Sequence, residues 1–179
     1  MSQTTLEERY TLPAVILHWL LAVLIPAMAG LGWFMGDLPK DYPQRSEIFA
    51  LHKSFGILIF VLLAVRLAWR LTHRPPALPE AVQGWQRMLA KLMHGVLYVF
   101  LLLQPLSGYL SSSFTKYDTA FFGLPLPKWG WRDRDLHEFF EEVHAVNVIV
   151  LAVLIGLHVC GALYHALKPG DTVFRRILP

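Results

Sequence analysis

Four long apolar stretches, separated by polar segments, dominate the sequence. They cover about 12–34, 48–71, 88–110 and 143–167, and each is close to the roughly 20 residues that an α-helix needs to cross a bilayer. The last stretch contains no Asp, Glu, Lys or Arg. The pattern predicts an all-α integral membrane protein, a four-helix transmembrane bundle in which residues 1–179 form a single domain.

Composition agrees with this pattern. Of the 179 residues, 55% are hydrophobic and 16% are charged, whereas soluble domains carry about 25% charged residues. The net charge of +3 is small and no nucleic-acid-binding motif is present, so we expect a lipid bilayer and no nucleic acid as partner. A single cysteine excludes a disulfide within the chain.

The basic residues differ in number between the two sides of the predicted bundle. Four spans put both termini on one side, together with the connection between the second and third spans. Nine of the 16 Lys and Arg residues lie on that side and seven on the other. The positive-inside rule therefore predicts cytoplasmic termini. The longest connection, 111–142, is rich in the aromatic residues typical of the bilayer interface, and its end predicts a short helix that leads into the fourth span.

Three histidines lie on one face of the last apolar stretch. His144, His158 and His165 are 14 and 7 residues apart, and at about 100° per residue such spacings return to nearly the same helix face. His144 and His158 are separated by about 21 Å along the helix axis. Two imidazoles on one face, most of a membrane apart, indicate one ligand for each of two stacked redox centres.

Histidines of the first two spans match these two depths. His18 and His158 lie nine and ten residues from charges on the side of the termini, which places both about 14–15 Å inward. His52 and His144 both lie just under the opposite surface. The sequence therefore predicts two level pairs, His18 with His158 and His52 with His144.

Level imidazole pairs suit a particular chemistry. A six-coordinate haem iron takes two strong axial ligands on opposite faces of a flat macrocycle, and helices can hold imidazoles rigidly in that arrangement. Zinc or copper sites with two histidines and no carboxylate or thiolate are unfavourable. The alternative is a haem-free packing protein in which the histidines form interhelical hydrogen bonds, although ionisable residues at membrane depth are usually functional.

Five further polar residues lie close to the predicted sites. Arg66, Arg70 and Lys53 are candidate contacts of haem propionates, or else side chains that extend to the lipid headgroups. His94 and His165 are candidate contacts of a quinone carbonyl or a propionate, or else ordinary interfacial residues.

His94 is in addition a rival to His18 as the partner of His158, although its level matches less well. No side chain is assigned a catalytic role of its own.

The motifs around these histidines resemble those of the bacterial cytochrome b561 family. They are ILHWL at the first-span histidine, LHKSFG and VRLAWRL in the second span, and VHAVNVIVLAVLIGLHVCGALYH in the fourth. The resemblance implies a multi-pass protein of the bacterial inner membrane with two haem b groups, one held by His18 and His158 and the other by His52 and His144.

The resemblance also implies electron transfer between the periplasmic side and the quinone pool. One activity within the family is the oxidation of superoxide with reduction of ubiquinone. The alternative is a cytochrome b subunit that relays electrons between a redox partner protein, such as a dehydrogenase or hydrogenase, and quinone.

Overall fold

The computed structural model describes residues 9–77, 82 and 84–179. Four of its helices are long and apolar enough to cross a membrane, which confirms the predicted all-α four-span architecture. The elements in chain order are α1 (Leu12–Gly36), α2 (Arg45–Thr72), α3 (Gly84–Ser113), β1 (Thr119–Phe121), β2 (Leu124–Leu126), α4 (Arg134–Leu167) and a 3₁₀ turn (Phe174–Ile177).

The fourth helix is longer than the apolar stretch within it. It begins at Arg134, where the side chain of Asp133 accepts a hydrogen bond from the Leu136 N–H at 3.0 Å and caps the first turn. Its 34 residues correspond to about 51 Å, more than the roughly 30 Å hydrocarbon core of a bilayer. The predicted short helix and the fourth span are therefore one continuous helix whose charged first turns extend beyond the apolar region.

The helices pack in chain order and leave α4 apart from the first two. Helix α1 packs on α2, α2 on α3, and α3 on α4. A small core of Leu21, Ile59 and Leu63 joins α1 and α2. Within the described part of the chain, α4 makes at most slight backbone contact with α1 or α2. The side chains that link α4 to those helices must therefore reach across a gap.

A β-hairpin, which the sequence pattern does not predict, lies in the long connection before α4. Strands β1 and β2 pair antiparallel, and the two residues between them, Phe122 and Gly123, have φ of 47° and 90°. Positive φ at both positions gives the turn that suits the twist of a two-residue hairpin. The hydroxyl of Ser54 accepts a hydrogen bond from the Phe122 N–H at 3.0 Å, which fastens the hairpin to α2 two residues after His52.

Both described ends of the chain meet on the same side of the bundle. The Tyr10 N–H donates to the Arg176 carbonyl at 3.2 Å, and the indole N–H of Trp19 donates to the Ile177 carbonyl at 2.8 Å. The predicted loop between the second and third spans is irregular over residues 73–77. Its remaining part, at 78–81 and 83, lies outside the described residues.

Candidate functional site

The structure brings the rings of His52 and His144 together near the end of the bundle that carries the hairpin. Their centroids are 6.3 Å apart and their planes are inclined at 77°. His52 comes from the second turn of α2, and His144 comes from α4. The two rings therefore bridge helices that barely touch elsewhere.

The ring of His144 is oriented by α3. Its Nδ1 lies 2.8 Å from the Gln104 carbonyl oxygen, and because that oxygen can only accept, Nδ1 carries the proton and donates. Nε2 is then an acceptor, and the Gln104 side-chain amide lies 3.0 Å from it. Asn147, which is buried, donates to the Phe100 carbonyl at 3.0 Å and to the Gln104 side-chain oxygen at 2.5 Å. A polar network on α3 and α4 therefore fixes the tautomer of His144.

The ring of His52 has no comparable polar restraint. Its Nδ1 is buried and has no hydrogen-bond partner among the described residues. Lys53, the next residue, is partly buried, and it lies close enough to Lys128 and Asp118 to interact with both charges. Lys128 and Asp118 themselves form an ion pair at 3.2 Å. The end of α2 next to the hairpin therefore carries positive charge that one carboxylate partly offsets.

Three imidazoles meet at the other level of the bundle. The centroid of His158 lies 6.3 Å from that of His18, with planes at 70°, and 5.3 Å from that of His94, with planes at 82°. His94 donates from Nδ1 to the Ala90 carbonyl at 2.6 Å within its own helix. The structure thus places both sequence-predicted candidates for the partner of His158 beside it, at different distances.

Arg66 lies directly against His18. One terminal nitrogen donates to the Ala14 carbonyl at 2.7 Å, and the other lies 3.2 Å from His18 Nδ1. Because a guanidinium only donates, this Nδ1 is the acceptor. Arg66 and Arg70 also line a pocket with Arg9 and Arg74. This end of the bundle is therefore strongly positive around His18.

His165 is paired with an acid of the C-terminal segment. Its Nδ1 lies 2.7 Å from Asp171 Oδ2, and Asp171 Oδ1 accepts the Val173 N–H at 2.9 Å. The Asp171 side chain is only 6% exposed. Burial raises the pKa of this carboxyl, but the hydrogen bonds from His165 and Val173 outweigh burial and lower its pKa overall. The pair ties the end of α4 to the C-terminal turn.

Several residues that shape the site carry no distinctive sequence signal. Gln104 and Asn147 look like isolated polar residues of an apolar helix, although a polar residue at membrane depth is itself a reason for attention. Gly32 and Gly108 lie against the rings of His52 and His144. Such glycines resemble those of ordinary helix packing, so only the three-dimensional arrangement distinguishes them.

Glycines that lie close to His52 and His158 along the chain behave differently. A Cβ added at Gly56, Gly156 or Gly161 would meet nothing within 4 Å. These positions are open in the structure, so protein packing does not require glycine there.

Comparisons with known proteins agree along nearly the whole chain. A family described as prokaryotic cytochrome b561 matches residues 9–179. The chain is 31% identical over 189 residues to cytochrome b561 homolog 2 of Escherichia coli (strain K12), covering 99% of this chain and 95% of that protein.

Two further relatives are more distant. Cytochrome b561 homolog 1 of Escherichia coli (strain K12) is 25% identical over 176 residues, covering 96% of this chain and 98% of that protein. A probable superoxide oxidase CybB of Yersinia pestis is 24% identical over 174 residues, covering 97% and 98%.

Proposed function

The chain belongs to the prokaryotic cytochrome b561 family of membrane electron-transfer proteins, and on that premise we propose that it holds two haem b groups and reduces ubiquinone with electrons from superoxide. The haems supply one-electron transfer. We assign His52 and His144 to the outer haem and His18 and His158 to the inner haem. The remaining contributions come from side chains that orient these ligands and from the charges around them.

The separation of the rings is the observation that carries the proposal. An imidazole nitrogen lies about 1.1 Å from its ring centroid, and metal–imidazole bonds are about 2.0 Å long, so two rings on opposite sides of one metal have centroids about 6.2 Å apart. Both assigned pairs are at 6.3 Å. Two imidazoles are too few for a tetrahedral metal site, whereas a porphyrin provides the other ligands.

The same measure favours His18 over His94 as the partner of His158. The centroids of His94 and His158 are 5.3 Å apart, about 0.9 Å less than two rings across one metal require. His94 lies beside the assigned inner site, where it and His165 are candidate contacts of a quinone or a propionate.

The gap between α4 and the first two helices also supports the proposal. Each assigned pair spans helices that make little or no direct backbone contact within the described residues. A flat macrocycle needs such a gap, whereas histidines that serve only as interhelical hydrogen bonds need helices close together.

Two polar side chains must leave the ligand rings when haem binds. The Gln104 amide lies 3.0 Å from His144 Nε2, and Arg66 lies 3.2 Å from His18 Nδ1. A ligating histidine uses one nitrogen for the metal and normally donates its other N–H to an acceptor. We therefore propose that Arg66 and Arg70 bind a propionate of the inner haem. We likewise propose that Lys53 binds a propionate of the outer haem.

The assignment of the haem sites is tested by haem content. In the purified protein, a pyridine-haemochrome assay should give two haem b per chain. His52→Ala or His144→Ala should remove about half of the haem, because each variant lacks one of the two side chains that would hold the outer haem. His94→Ala is the matched control and should keep both haems. If His52→Ala and His144→Ala retain all of the haem, the outer pair is misassigned.

The proposed donor, acceptor and orientation are tested together with membrane vesicles. Two superoxide anions give one electron each and become oxygen, and these electrons with two protons convert ubiquinone to ubiquinol. Pulses of superoxide should reduce haem and form ubiquinol in right-side-out vesicles. With the proposed cytoplasmic termini inside such vesicles, the outer haem site faces the medium to which superoxide is added. Inverted vesicles, which superoxide reaches from the wrong side, should respond little.

The opposite results would favour other readings. A faster response of inverted vesicles would show that the protein has the opposite orientation, with its termini on the periplasmic side. Haem reduction that requires an added partner protein would instead favour the electron-relay subunit. The charged residues of the outer face contain both signs, so we expect only modest electrostatic steering of the anion.

A further inference from the structure

Two glycines lie against the imidazoles of the outer pair. A Cβ at Gly32 of α1 would be 3.2 Å from Cε1 of His52, and a Cβ at Gly108 of α3 would be 3.0 Å from Cε1 and 3.1 Å from Nδ1 of His144. Carbon atoms in favourable contact are about 3.5–4.0 Å apart. Alanine at either position would therefore displace the facing ring by a few tenths of an ångström.

Glycines elsewhere in the transmembrane helices lack this relation to a ring. A Cβ at Gly30, on the same helix as Gly32, or at Gly95, on the same helix as Gly108, would meet nothing within 4 Å. The close contacts are therefore specific to the outer pair and are not a general consequence of glycine in these helices.

Each of the two glycines belongs to a helix that carries neither ring of the outer pair. Gly32 backs the ring of His52 from α1, and Gly108 backs the ring of His144 from α3. All four helices thus converge on the outer site, two with imidazoles and two with bare backbone.

The two rings depend on this backing to different degrees. The plane of His144 is also restrained by its hydrogen bond to the Gln104 carbonyl. His52 Nδ1 has no such bond within the described part of the chain, so packing alone holds its plane. A methyl group added at Gly32 should therefore rotate the ring of His52 without resistance from a hydrogen bond. A methyl group added at Gly108 should instead strain the hydrogen bond of His144 to the Gln104 carbonyl.

We propose that Gly32 and Gly108 are positioning residues that hold the planes of His52 and His144 at the steep angle of 77° and thereby set the electronic properties of the outer haem. This inference rests on the proposed function. The angle between two axial imidazole planes governs the splitting of the iron d orbitals, which appears as g-anisotropy in the electron paramagnetic resonance (EPR) spectrum of low-spin ferric haem. Ligand orientation is also among the features by which a protein tunes a bound metal.

The test uses the purified full-length protein and the variants Gly32→Ala and Gly108→Ala, with Gly30→Ala and Gly95→Ala as controls. The outer-haem EPR signal is first identified as the one that is absent from His52→Ala. In Gly32→Ala and Gly108→Ala this signal should shift or split and the outer midpoint potential should change, with two haems per chain retained. The inner-haem signal should stay in place, and both controls should match the wild type.

Other outcomes separate this inference from the proposed function. An outer signal that is unchanged in both glycine variants, or that shifts equally in the controls, would overturn the positioning role. Failure of both glycine variants to fold, with well-folded controls, would show a packing role and overturn it as well. A wild-type protein in which no signal depends on His52 would instead refute the haem assignment.

Discussion

At the scale of single residues, the two levels of the bundle hold their imidazoles by different means. His144 has a hydrogen bond from Nδ1 to a backbone carbonyl, and it and His52 are each backed by a glycine. His18 instead contacts the guanidinium of Arg66. A guanidinium lies directly against a ring of the His18–His158 pair, whereas an amide and glycine backbone lie against the rings of the His52–His144 pair. The two proposed haems would therefore have different immediate surroundings.

Replacement of Arg66 tests this difference. In Arg66→Gln we expect the inner haem to become harder to reduce, because a nearby positive charge favours the reduced form. A unit charge acting over roughly 10 Å at an effective dielectric constant of about 20 contributes on the order of 1–2 kcal/mol, or roughly 40–90 mV for one electron. The measurement is a spectroscopic redox titration of both haems.

The charge-conserving variant provides the control. Arg66→Lys should keep most of the inner potential, since the positive charge remains. The outer haem should titrate unchanged in both variants. An Arg66→Gln protein with two wild-type potentials would contradict the assigned contact, as would an equal shift in Arg66→Lys.

At the scale of elements, α4 contributes to both levels and is fixed at both ends. Asp133 caps its first turn, and beyond its last turn Asp171 accepts hydrogen bonds from His165 and from Val173. The Ser54 contact similarly fastens the hairpin to the turn of α2 that carries His52. Polar contacts of this kind help to fix the positions of long helices, because the apolar residues that face lipid do not distinguish one helix position from another.

Removal of the Asp171 charge should loosen the C-terminal segment. Because the folded-state pKa of Asp171 is lowered, its ionised form stabilises the fold above the unfolded-state pKa, and this contribution is lost as pH falls through the lowered pKa. In Asp171→Asn, hydrogen-exchange protection around Val173 should fall by about 1–3 kcal/mol at neutral pH. The difference from wild type should persist down to about pH 5, above the unfolded-state pKa. It should be lost only as the pH falls further, through the lowered pKa of Asp171.

An exposed acid serves as the comparison for this effect. Asp41, in the connection between α1 and α2, is exposed, so Asp41→Asn should leave the protection of Val173 unchanged. A difference between Asp171→Asn and wild type that grows on acidification would contradict the sign of the linkage.

At the scale of the whole molecule, the arrangement of the helices accounts for how one chain could hold the two proposed haem sites, one above the other. Helix α4 packs on α3 and faces α1 and α2 across a gap. His144 and His158 of this helix, about 21 Å apart along the axis, each meet an imidazole from a different helix on the far side. The outer level then ends under a hairpin, whereas the inner level opens towards a group of arginines.

The sequence by itself determined the four spans, their order and the family. It also gave the two depths at which histidines occur, because hydropathy and the rise per residue belong to each helix separately. The continuous fourth helix was foreseen in outline, since its charged first turns still carry helix signals. The hairpin was missed because its turn is the pair Phe122–Gly123, and a bulky residue with positive φ is an uncommon choice.

Only the tertiary structure decided which imidazoles approach each other and at what distance. His18 and His94 are both near the level of His158. The sequence does not reveal that their ring centroids lie 6.3 Å and 5.3 Å, respectively, from that of His158. The sequence also did not predict that Gly32 packs against the ring of His52 or that Gly108 packs against the ring of His144. Ring separations and glycine contacts depend on the rotation and spacing of neighbouring helices, and these are set by packing between segments that are far apart in the chain.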